Sequence, residues 1–427
     1  MQVAVIGLGY VGLPLALMLA RHHTVIGVDT NEALRMAVER GEPPFHEPGL
    51  DRLFESLPPG ALTVAPSLAG TRPDAVLICV GTPVRSDSHG PDLTQLEAAV
   101  TEAARVSSDT LVIVRSTVPI GTCRHVVLPI LARAAASPLL AFCPERTIQG
   151  MALRELVSLP QIIGGLDERS ADRAKRLLEP VAPDQLTVSS LEAAEAIKLI
   201  CNAHTDLIYG FGNEVALLAD RLGLDAYELI SSANLRYPRP DLCRPGYVGG
   251  SCLSKDPYLL LHSARAAGHT LPLVTAARQV NERLPAYAAE RVLTALEERG
   301  TAPADAKVLV AGIAYKGRPQ TDDVRGAAST ALSQALRHRV SALYGHDFMV
   351  PRTTIAEMGL TPVGLEEGLR DADALILLTD HPGYAELDAA RLVSLMRPSP
   401  VVFDMWASLH PRLSDEAGLR YIGLGCG

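Results

Sequence analysis

A short segment from Pro245 to Pro257 concentrates residues that could do covalent chemistry. Cys252 follows the pair Gly249–Gly250, and Lys255 and Asp256 lie three and four residues after it. A thiol attacks carbon only as its thiolate, and a nearby ammonium group favours that form. Glycines let the backbone approach a ligand closely or adopt a positive φ. The segment predicts either a nucleophilic cysteine in a ligand-contacting loop or a glycine-rich turn around a small buried cysteine.

The segment Ser189–Leu222 has the pattern of one long helix, and it carries a second pair of polar side chains. A capping box formed by its first residue and Glu192 predicts where the helix begins, and Gly223 is suited to end it. Lys198 and Asn202 lie about one turn apart on this helix. An ammonium and an amide so placed could donate hydrogen bonds to a developing oxyanion.

The same helix is predicted to have an apolar face and, roughly opposite, a polar stripe. The face comprises Ile197, Ile200, Cys201, His204, Ile208, Phe211, Val215 and Leu218, and the stripe comprises Lys198, Asn202, Asp206, Tyr209 and Asn213. The sparse charge of the stripe favours a polar pocket or a subunit contact over a solvated face. The apolar face favours self-association, and it makes His204 a packed residue rather than a ligand or base.

The N-terminal residues have the order expected of a dinucleotide-binding unit. Gln2–Ile6 is predicted to be a buried strand, a glycine turn and a helical stretch follow, and the strand Thr24–Val28 ends in Asp29. Glycines at such a turn admit a pyrophosphate to the helix N-terminus, and the acidic residue accepts hydrogen bonds from the ribose hydroxyls. The pattern predicts NAD rather than NADP, with contacts at Gly7, Gly9, Tyr10, Val11, Gly12 and Asp29. Residues 3–20 are nearly free of charge, but their glycines and Pro14 favour a strand, turn and buried helix over a membrane span.

Three further strands of the same predicted sheet end in small polar residues. Ala75–Val80 leads into Gly81-Thr82-Pro83, Leu111–Val114 into Ser116 and Thr117, and Leu139–Phe142 into Pro144-Glu145-Arg146. Open α/β sheets bind ligands at this edge, although such residues also occur in ordinary turns. Strands beginning at Lys307, Ala342, Ala374 and Val401 predict another α/β unit. This half has no second glycine fingerprint, so it need not hold a dinucleotide.

Composition limits the class of protein and of partner. The chain has 427 residues, a formal net charge of −9 and 7 scattered cysteines without a CxxC pair. Its length suggests two or three domains, and its charge argues against nucleic acid as the main partner. The cysteine pattern predicts a reduced, cytoplasmic chain with no disulfide framework and no metal site.

An NAD site and a candidate thiolate together allow more than the removal of one hydride. The thiol of Cys252 could trap an aldehyde as a thiohemiacetal, whose oxidation gives a thioester that water hydrolyses to an acid. Lys198 and Asn202 would stabilise the oxyanion, and a base would be needed for the water. The alternative enzyme is a single-step hydroxyacid or polyol dehydrogenase with Cys252 structural. The alternative from another class is a non-catalytic protein that binds NAD or a nucleotide sugar.

Over essentially its whole length the sequence resembles the nucleotide-sugar 6-dehydrogenases, the UDP-glucose/GDP-mannose dehydrogenase family. The matching motifs are Gly-Leu-Gly-Tyr-Val-Gly-Leu-Pro at 7–14, Glu47-Pro48-Gly49-Leu50, Gly81-Thr82-Pro83, Ser116-Thr117-Val118, Pro144-Glu145-Arg146, the helix Glu195 to Glu214, Gly249-Gly250-Ser251-Cys252, Lys255-Asp256 and Ala314-Tyr315-Lys316 through Asp323-Val324-Arg325. The resemblance implies an α/β fold of two Rossmann-like doubly wound domains joined by a long central helix and a helical middle domain. It implies an NAD-binding domain at 1–188, a central dimerisation domain with the cysteine loop at 189–300 and a C-terminal domain for the nucleotide sugar at 301–427.

The resemblance also implies roles for individual residues. Cys252 looks like the nucleophile, Lys198 and Asn202 like the oxyanion-stabilising pair, Asp256 like the residue that holds a catalytic water, Glu145 like the base for thioester hydrolysis, and Thr117 like a contact of water and cofactor. Further cofactor contacts are implied at Gly81, Thr82, Pro83, Ser116, Lys255 and Arg325. Substrate contacts are implied at Glu145, Arg146, Lys198, Asn202, Arg239, Tyr247, Gly249 and Lys316. Arg239 matches an arginine that reaches across a homodimer, and Gly246 lies in the loop that closes over the sugar.

The sugar is predicted from motifs in which branches of the family differ. Pro144-Glu145-Arg146 with Gly150, and Asp206 after Asn202, resemble the branch acting on UDP-N-acetylmannosamine or UDP-N-acetylglucosamine. Ser251, Thr205 and Lys255-Asp256 depart from that branch, and the loop looks more like the UDP-glucose or archaeal form. The prediction is two-step oxidation at C6 of UDP-N-acetylmannosamine or UDP-N-acetylglucosamine, with UDP-glucose or GDP-mannose as the alternative. The departures leave an atypical sugar, in polysaccharide or specialised-metabolite biosynthesis, open.

Overall fold

Two sheets organise the chain, one in each of the two units into which the structure divides. The computed structural model describes residues 1–238, 240–409, 413 and 418–426. The first unit consists of Met1–Asn202 and Tyr258–Thr270. The second consists of the described residues of Ala203–Pro257 and Leu271–Gly427.

The first unit contains an eight-stranded sheet. Its strands are β1 Gln2–Ile6, β2 Thr24–Val28, β3 Leu62–Ala65, β4 Ala75–Ile78, β5 Leu111–Val114, β6 Leu139–Phe142, β7 Gln161–Gly165 and β8 Gln185–Val188. They lie in the order β3-β2-β1-β4-β5-β6-β7-β8, and among these pairs only β6 and β7 run antiparallel. The first six strands thus have the doubly wound order of a dinucleotide-binding sheet. The central strands are short apolar runs buried on both faces, as a parallel sheet covered by helices requires.

Helices pack on this sheet and bury its apolar faces. They are α1 Gly12–Ala20, α2 Glu32–Glu39, α3 Leu50–Ser56, α4 Thr94–Ala104, α5 Leu128–Ala132, α6 Ala152–Ser158 and α7 Glu168–Leu178, with a π-helical turn at Cys123–Val127 before α5. Every residue of α1 is buried, so the charge-free N-terminal run is a strand and a core helix, as predicted. Among the described residues, no helix is both long and apolar enough to span a membrane.

The long helix α8, Leu191–Leu222, begins two residues later than predicted. The Ser190 hydroxyl, not that of Ser189, accepts a hydrogen bond from the Ala193 N–H at 3.1 Å. Glu192 instead pairs with Arg124, so the predicted capping box is wrong. Gly223 follows the helix with φ +66°, as expected of a C-terminal glycine.

On α8, residues of the predicted polar stripe are buried and residues of the predicted apolar face are exposed. This is the reverse of what is expected of a helix in a single chain. On the predicted polar stripe Asp206 and Asn213 are fully buried, so the solvated-face alternative is wrong. On the predicted apolar face Ile200 and Phe211 are 55% and 52% exposed. His204 is exposed as well, so the prediction that it packs is wrong for the part of the chain that the structure describes.

The second unit contains a six-stranded, all-parallel sheet. Its strands are β9 Lys307–Ala311, β10 Ala342–His346, β11 Thr361–Pro362, β12 Ala374–Leu377, β13 Val401–Asp404 and β14 Arg420–Gly423, in the order β11-β10-β9-β12-β13-β14. The remaining helices are α9 Ala226–Asn234, α10 Gly250–Leu253, α11 Asp256–Ala266, α12 Pro272–Glu298, α13 Ala328–Leu336, α14 Arg352–Glu357, α15 Leu365–Leu369, α16 Pro382–Ala385 and α17 Ala389–Leu395. α8 and α11 have residues in both units. Both sheets are doubly wound, which confirms the predicted fold class; the domain boundaries stay a prediction.

Candidate active site

The glycine turn between β1 and α1 forms a cradle at the N-terminus of a buried helix. A Cβ atom on Gly7, whose φ is +90°, would lie 2.8 Å from the carbonyl oxygen of Cys79. A Cβ atom on Gly12 would lie 1.7 Å from the carbonyl oxygen of Gly7. A Cβ atom on Gly9 would meet nothing within 4 Å. Packing therefore requires Gly7 and Gly12, whereas Gly9 faces open space into which a phosphate group can approach the backbone.

Asp29 ends β2 beside this turn. Its carboxylate accepts hydrogen bonds from the backbone N–H groups of Leu8 at 2.8 Å and Asn31 at 2.9 Å. The carboxylate is partly exposed, so it retains acceptor capacity for a ribose hydroxyl. Tyr10, on the turn, packs against Phe45 with a ring-centroid distance of 4.2 Å. The residues present thus fit an adenosine diphosphate group.

The cradle supports a contrast between two glycine variants. Gly12→Ala should destabilise the fold by about 3 kcal/mol or more, because a carbonyl group and the helix must move apart. Gly9→Ala should leave stability within about 0.5 kcal/mol and lower NAD affinity roughly tenfold or more, because its methyl group occupies the phosphate approach. Thermal unfolding and titration calorimetry with NAD measure the two quantities. Equal loss of stability in both variants would contradict this assignment.

Two hydroxyl side chains tie together the ends of β4 and β5. The Thr82 hydroxyl donates to the carbonyl oxygen of Thr117 at 2.5 Å, and the Ser116 hydroxyl donates to that of Val80 at 2.7 Å. Thr82 and Ser116 are 3% and 6% exposed. Their hydroxyl groups therefore fix the loop on which Thr117 lies.

Glu145 lies at the end of β6 in a buried ion pair that the sequence did not reveal. Its carboxylate accepts a hydrogen bond from Arg115 at 2.6 Å and from the backbone N–H groups of Arg146 and Thr147 at 2.8 and 2.9 Å. Arg115, itself 1% exposed, also donates to Gln161. Burial alone would raise the pKa of Glu145, but Arg115 and the two N–H groups outweigh it and hold this pKa below its usual value. Glu145 is therefore a firmly ionised carboxylate and a weak base.

Glu195 joins the loop after Thr117 to α8. Its carboxylate, fully buried, accepts hydrogen bonds from the backbone N–H groups of Gly121 at 2.5 Å and Cys123 at 2.8 Å. Lys198 follows Glu195 by three residues and is 7% exposed. Glu195 thus fixes the loop that carries Thr117 relative to the helix that carries Lys198 and Asn202.

Burial raises the pKa of Glu195 to about 7, against the lowering effect of the two N–H groups. The unfolded chain loses this proton near pH 4.5 and the folded chain near pH 7, so the folded state binds more protons between these values. Stability should therefore fall as pH rises through this window, by about 3 kcal/mol in total. Glu195→Gln should remove that dependence, which urea unfolding at pH 5, 6, 7 and 8 measures.

Glu192→Gln is the matched control for this measurement. The hydrogen bond from Arg124 lowers the pKa of Glu192, so its contribution to stability is lost only as pH falls below 4.5. Between pH 5 and 8 this variant should follow the wild-type curve. A Glu195→Gln curve as steep as that of the wild type would contradict the role of Glu195.

In the second unit, Cys252 lies on the short helix α10 with its side chain exposed. Gly250 has φ +81°, and a Cβ atom there would lie 2.6 Å from the ring of Tyr315. A Cβ atom on Gly249 would lie 2.0 Å from the carbonyl oxygen of Gly326. The alternative of a small buried cysteine is wrong, because the glycines are the packed residues and the thiol is the exposed one.

Lys255 and Asp256 form an ion pair immediately after α10. The ammonium group of Lys255 lies 2.6 Å from Asp256 Oδ1, and the aspartate side chain is fully buried. The Lys255 ammonium is therefore tied to a carboxylate, and the sulfur atom of Cys252 has the Ser251 hydroxyl at 3.9 Å.

The other predicted residues of this unit also have defined partners. Tyr247 donates a hydrogen bond to the carbonyl oxygen of Gly326 at 3.2 Å. Arg325 pairs with Asp323 through two nitrogen atoms at 2.7 to 3.1 Å, with its side chain 57% exposed. Lys316 lies 5.3 Å from the ring centroid of Tyr315. Arg239 lies outside the described residues, and the role predicted for it stays a prediction.

Comparison with known proteins decides the family. Models of the UDP-glucose/GDP-mannose dehydrogenase family match the NAD binding domain at residues 1–182, the central domain at 192–283 and the UDP binding domain at 309–411. UDP-N-acetyl-D-mannosamine dehydrogenase of Pyrococcus horikoshii is 35% identical over 411 residues, which cover 94% of each chain. The chain belongs to this family. It is an NAD-dependent dehydrogenase of nucleotide sugars, as the resemblance implied.

Solved structures of this dehydrogenase family have the same fold. That of the UDP-D-ManNAc dehydrogenase from Pyrococcus horikoshii is 33% identical, with a TM-score of 0.90 and full coverage of both chains. That of a UDP-glucose dehydrogenase from Pyrobaculum islandicum is 30% identical, with a TM-score of 0.87, and covers 100% of this chain and 98% of the other. Strands β1 to β7 and the glycine cradle thus lie in the NAD binding domain of the family, and strands β10 to β13, with most of β9, lie in its UDP binding domain.

Proposed function

We propose that this dehydrogenase oxidises the C6 alcohol of a nucleotide sugar to a carboxylate in two steps, with Cys252 as the nucleophile. The observation that carries the proposal is an exposed thiol on a segment whose backbone is fixed at Gly249 and Gly250. A fixed backbone holds a nucleophile in an attack geometry, which a cysteine on a loose loop cannot do.

The first step converts the alcohol to an aldehyde with loss of the O6 proton to a base. The thiolate of Cys252 then forms a C–S bond with the aldehyde carbon, and Lys198 and Asn202 donate hydrogen bonds to the resulting oxyanion. Oxidation of this thiohemiacetal gives a thioester. Water breaks the C–S bond, releasing the carboxylate and restoring the thiolate. NAD, when bound, accepts a hydride in each oxidation, so one sugar and one water yield two NADH and three protons.

The other assignments belong to the same proposal. Asp256, paired with Lys255, holds the water or assists proton transfer, and Thr117 contacts water and cofactor. Glu145 is the predicted base for thioester hydrolysis, although its pairing with Arg115 makes it a weak one. Cofactor contacts are assigned to Gly7, Gly9, Tyr10, Val11, Gly12, Asp29, Gly81, Thr82, Pro83, Ser116, Lys255 and Arg325, and substrate contacts to Arg146, Arg239, Tyr247, Gly249 and Lys316.

The proposed substrate is UDP-N-acetylmannosamine or UDP-N-acetylglucosamine. The relative at 35% identity is named a UDP-N-acetyl-D-mannosamine dehydrogenase, which favours the first of these. UDP-glucose is the second candidate, because a solved UDP-glucose dehydrogenase has a TM-score of 0.87 to this chain. GDP-mannose is the third.

The proposal includes a cytoplasmic homodimer formed through α8 and α9. Large apolar side chains are exposed on these helices and just after them, which a soluble monomer seldom leaves uncovered. They are Ile200, Phe211, Leu218, Leu222, Leu224, Leu229 and Leu235. We take 1–188, 189–300 and 301–427 as the cofactor, dimerisation and nucleotide-sugar domains.

The wild-type enzyme should produce two NADH for each sugar consumed. NADH absorbance with UDP-N-acetylmannosamine, UDP-N-acetylglucosamine, UDP-glucose and GDP-mannose identifies the sugar, and mass spectrometry of the product gives the stoichiometry. One NADH per sugar with accumulating aldehyde would exclude the two-step reaction. Binding of NAD and sugar without any NADH signal would favour a non-catalytic protein.

A further inference from the structure

Two buried polar side chains contact the segment Gly246–Leu253, which carries Cys252, and two more buried polar side chains bind those two. We call them the polar cluster: Asp206 and Asn213 on α8, and Arg278 and Asn281 on α12. Each is 0% or 1% exposed. All four lie in the same unit as the segment.

The polar cluster binds the backbone of the segment at three residues. The Asn213 amide donates to the carbonyl oxygen of Gly246 at 2.9 Å and accepts from its N–H at 2.8 Å. Arg278 donates to the carbonyl oxygens of Leu253 at 2.7 Å and Val248 at 3.4 Å. Cys252 therefore lies between the anchored residues Val248 and Leu253, and Leu253 follows the nucleophile immediately.

Hydrogen bonds within the polar cluster orient its two asparagine amides and one nitrogen atom of Arg278. Asp206 Oδ1 accepts from Arg278 at 2.7 Å and from the Asn281 amide nitrogen at 2.8 Å. The amide oxygen of Asn281 then faces the amide nitrogen of Asn213 at 2.8 Å. One carboxylate thus orients both asparagines, and with them the peptide of Gly246.

The segment is also closely packed against Trp406 and Gly326. A Cβ atom on Gly246 would lie 2.5 Å from the ring of Trp406, and the N–H of Gly250 donates to the carbonyl oxygen of Gly326 at 3.1 Å. The segment is therefore held both by the polar cluster and by residues of the UDP binding domain. A change in the polar cluster would shift the backbone of Cys252.

A gain in stability from the Arg278–Asp206 ion pair does not account for this arrangement. A buried Arg–Asp pair is often no more stabilising than apolar side chains of similar volume, because both charges are desolvated. Apolar side chains could not satisfy the carbonyl groups of Gly246, Val248 and Leu253, whose burial without a partner is costly. The polar cluster therefore fixes the position of the segment that carries Cys252.

We propose that Asp206, Asn213, Arg278 and Asn281 are positioning residues for the Cys252 thiol, and that they determine whether the aldehyde is captured or escapes. The proposal rests on the proposed function of Cys252. Misplacement of a nucleophile by about 1 Å can cost about a hundredfold in rate. A displaced Cys252 would slow capture of the aldehyde but would leave the first oxidation, which does not need the thiol.

The test measures the aldehyde fraction of the product, which is a ratio and does not depend on how much of a variant is folded. Reactions with the sugar that gives the highest NADH rate are quenched with a denaturant at mildly alkaline pH, and borodeuteride then adds one deuterium to any aldehyde. Mass spectrometry gives the ratio of deuterated alcohol to acid. Arg278→Lys keeps the charge beside Asp206 but cannot reach both carbonyl groups, and Asn213→Ser removes the Gly246 contacts.

Both variants should raise the aldehyde fraction at least tenfold over wild type. Arg291→Lys is the matched control, since Arg291 also lies on α12 and contacts Tyr287 and Asp220 instead; its aldehyde fraction should equal that of wild type. Slower turnover with an unchanged aldehyde fraction in both cluster variants would overturn the proposal.

Cys252→Ser in the same assay distinguishes a failure of the proposed function from a failure of this inference. If it forms acid as fast as wild type, the proposed function fails and this inference fails with it. If Cys252→Ser accumulates aldehyde and the cluster variants do not, only this inference fails.

Discussion

Replacing Cys252 by serine should lower the rate of acid formation by about a thousandfold, while NADH from the first oxidation stays measurable. A serine hydroxyl is not ionised near neutral pH, and it is a much weaker nucleophile than a thiolate. The aldehyde would accumulate, and the yield would fall from two NADH per sugar towards one. Stopped-time NADH absorbance together with mass spectrometry of the sugar measures both quantities.

Cys201→Ser is the matched control, since Cys201 is the other cysteine with an exposed side chain among the described residues. It should retain acid formation and the yield of two NADH. Full acid formation by Cys252→Ser would instead identify Cys252 as a structural residue and favour direct hydration of the aldehyde or a single-step dehydrogenase.

The sequence predicted the parts of the fold that depend on local patterns. The strands Gln2–Ile6 and Thr24–Val28 lie where the apolar runs placed them. The strands β3 and β8 were missed because they lie at the sheet edges, where partial exposure weakens the apolar signal; β14 was missed although it is mostly buried. β7 was missed because it runs antiparallel to β6 and ends in Gly164-Gly165, which resembles a turn.

The candidate site was predictable where a motif carries its own chemistry, as at Cys252 and in the glycine turn. Its supporting residues were not, because they depend on contacts between distant parts of the chain. In the sequence, Arg115 is an ordinary charged residue after a strand. In the structure it is fully buried against Glu145, thirty residues away in the chain. Glu195 has no local partner in the sequence either. On α8, helical periodicity separated two faces correctly but could not say which of them the chain would cover.

The ion pair of Arg115 and Glu145 should give the largest stability effect outside the cofactor cradle. Arg115→Met leaves a carboxylate buried without its cation, which should cost about 3–5 kcal/mol. The pKa of Glu145, held low in the wild type by Arg115, should rise in the variant. In the wild type this pair contributes stability that is lost as pH falls below 4.5. In Arg115→Met the pH dependence due to Glu145 has the opposite sign, because the buried carboxylate then destabilises the fold as pH rises. Glu195 already lowers wild-type stability as pH rises from 5 to 8, so urea unfolding at these two pH values should show a steeper fall in Arg115→Met than in the wild type.

The double variant Arg115→Met/Glu145→Gln separates an anchoring role of Glu145 from a catalytic one. A glutamine oxygen can still accept from the N–H groups of Arg146 and Thr147, so most of the lost stability should return when both charges are removed. Losses that simply add would contradict a coupled pair. If Glu145 only anchors the turn after β6, the double variant should regain acid formation together with stability. If Glu145 is also the base for thioester hydrolysis, stability should return while thioester accumulates on Cys252, which intact-protein mass spectrometry detects.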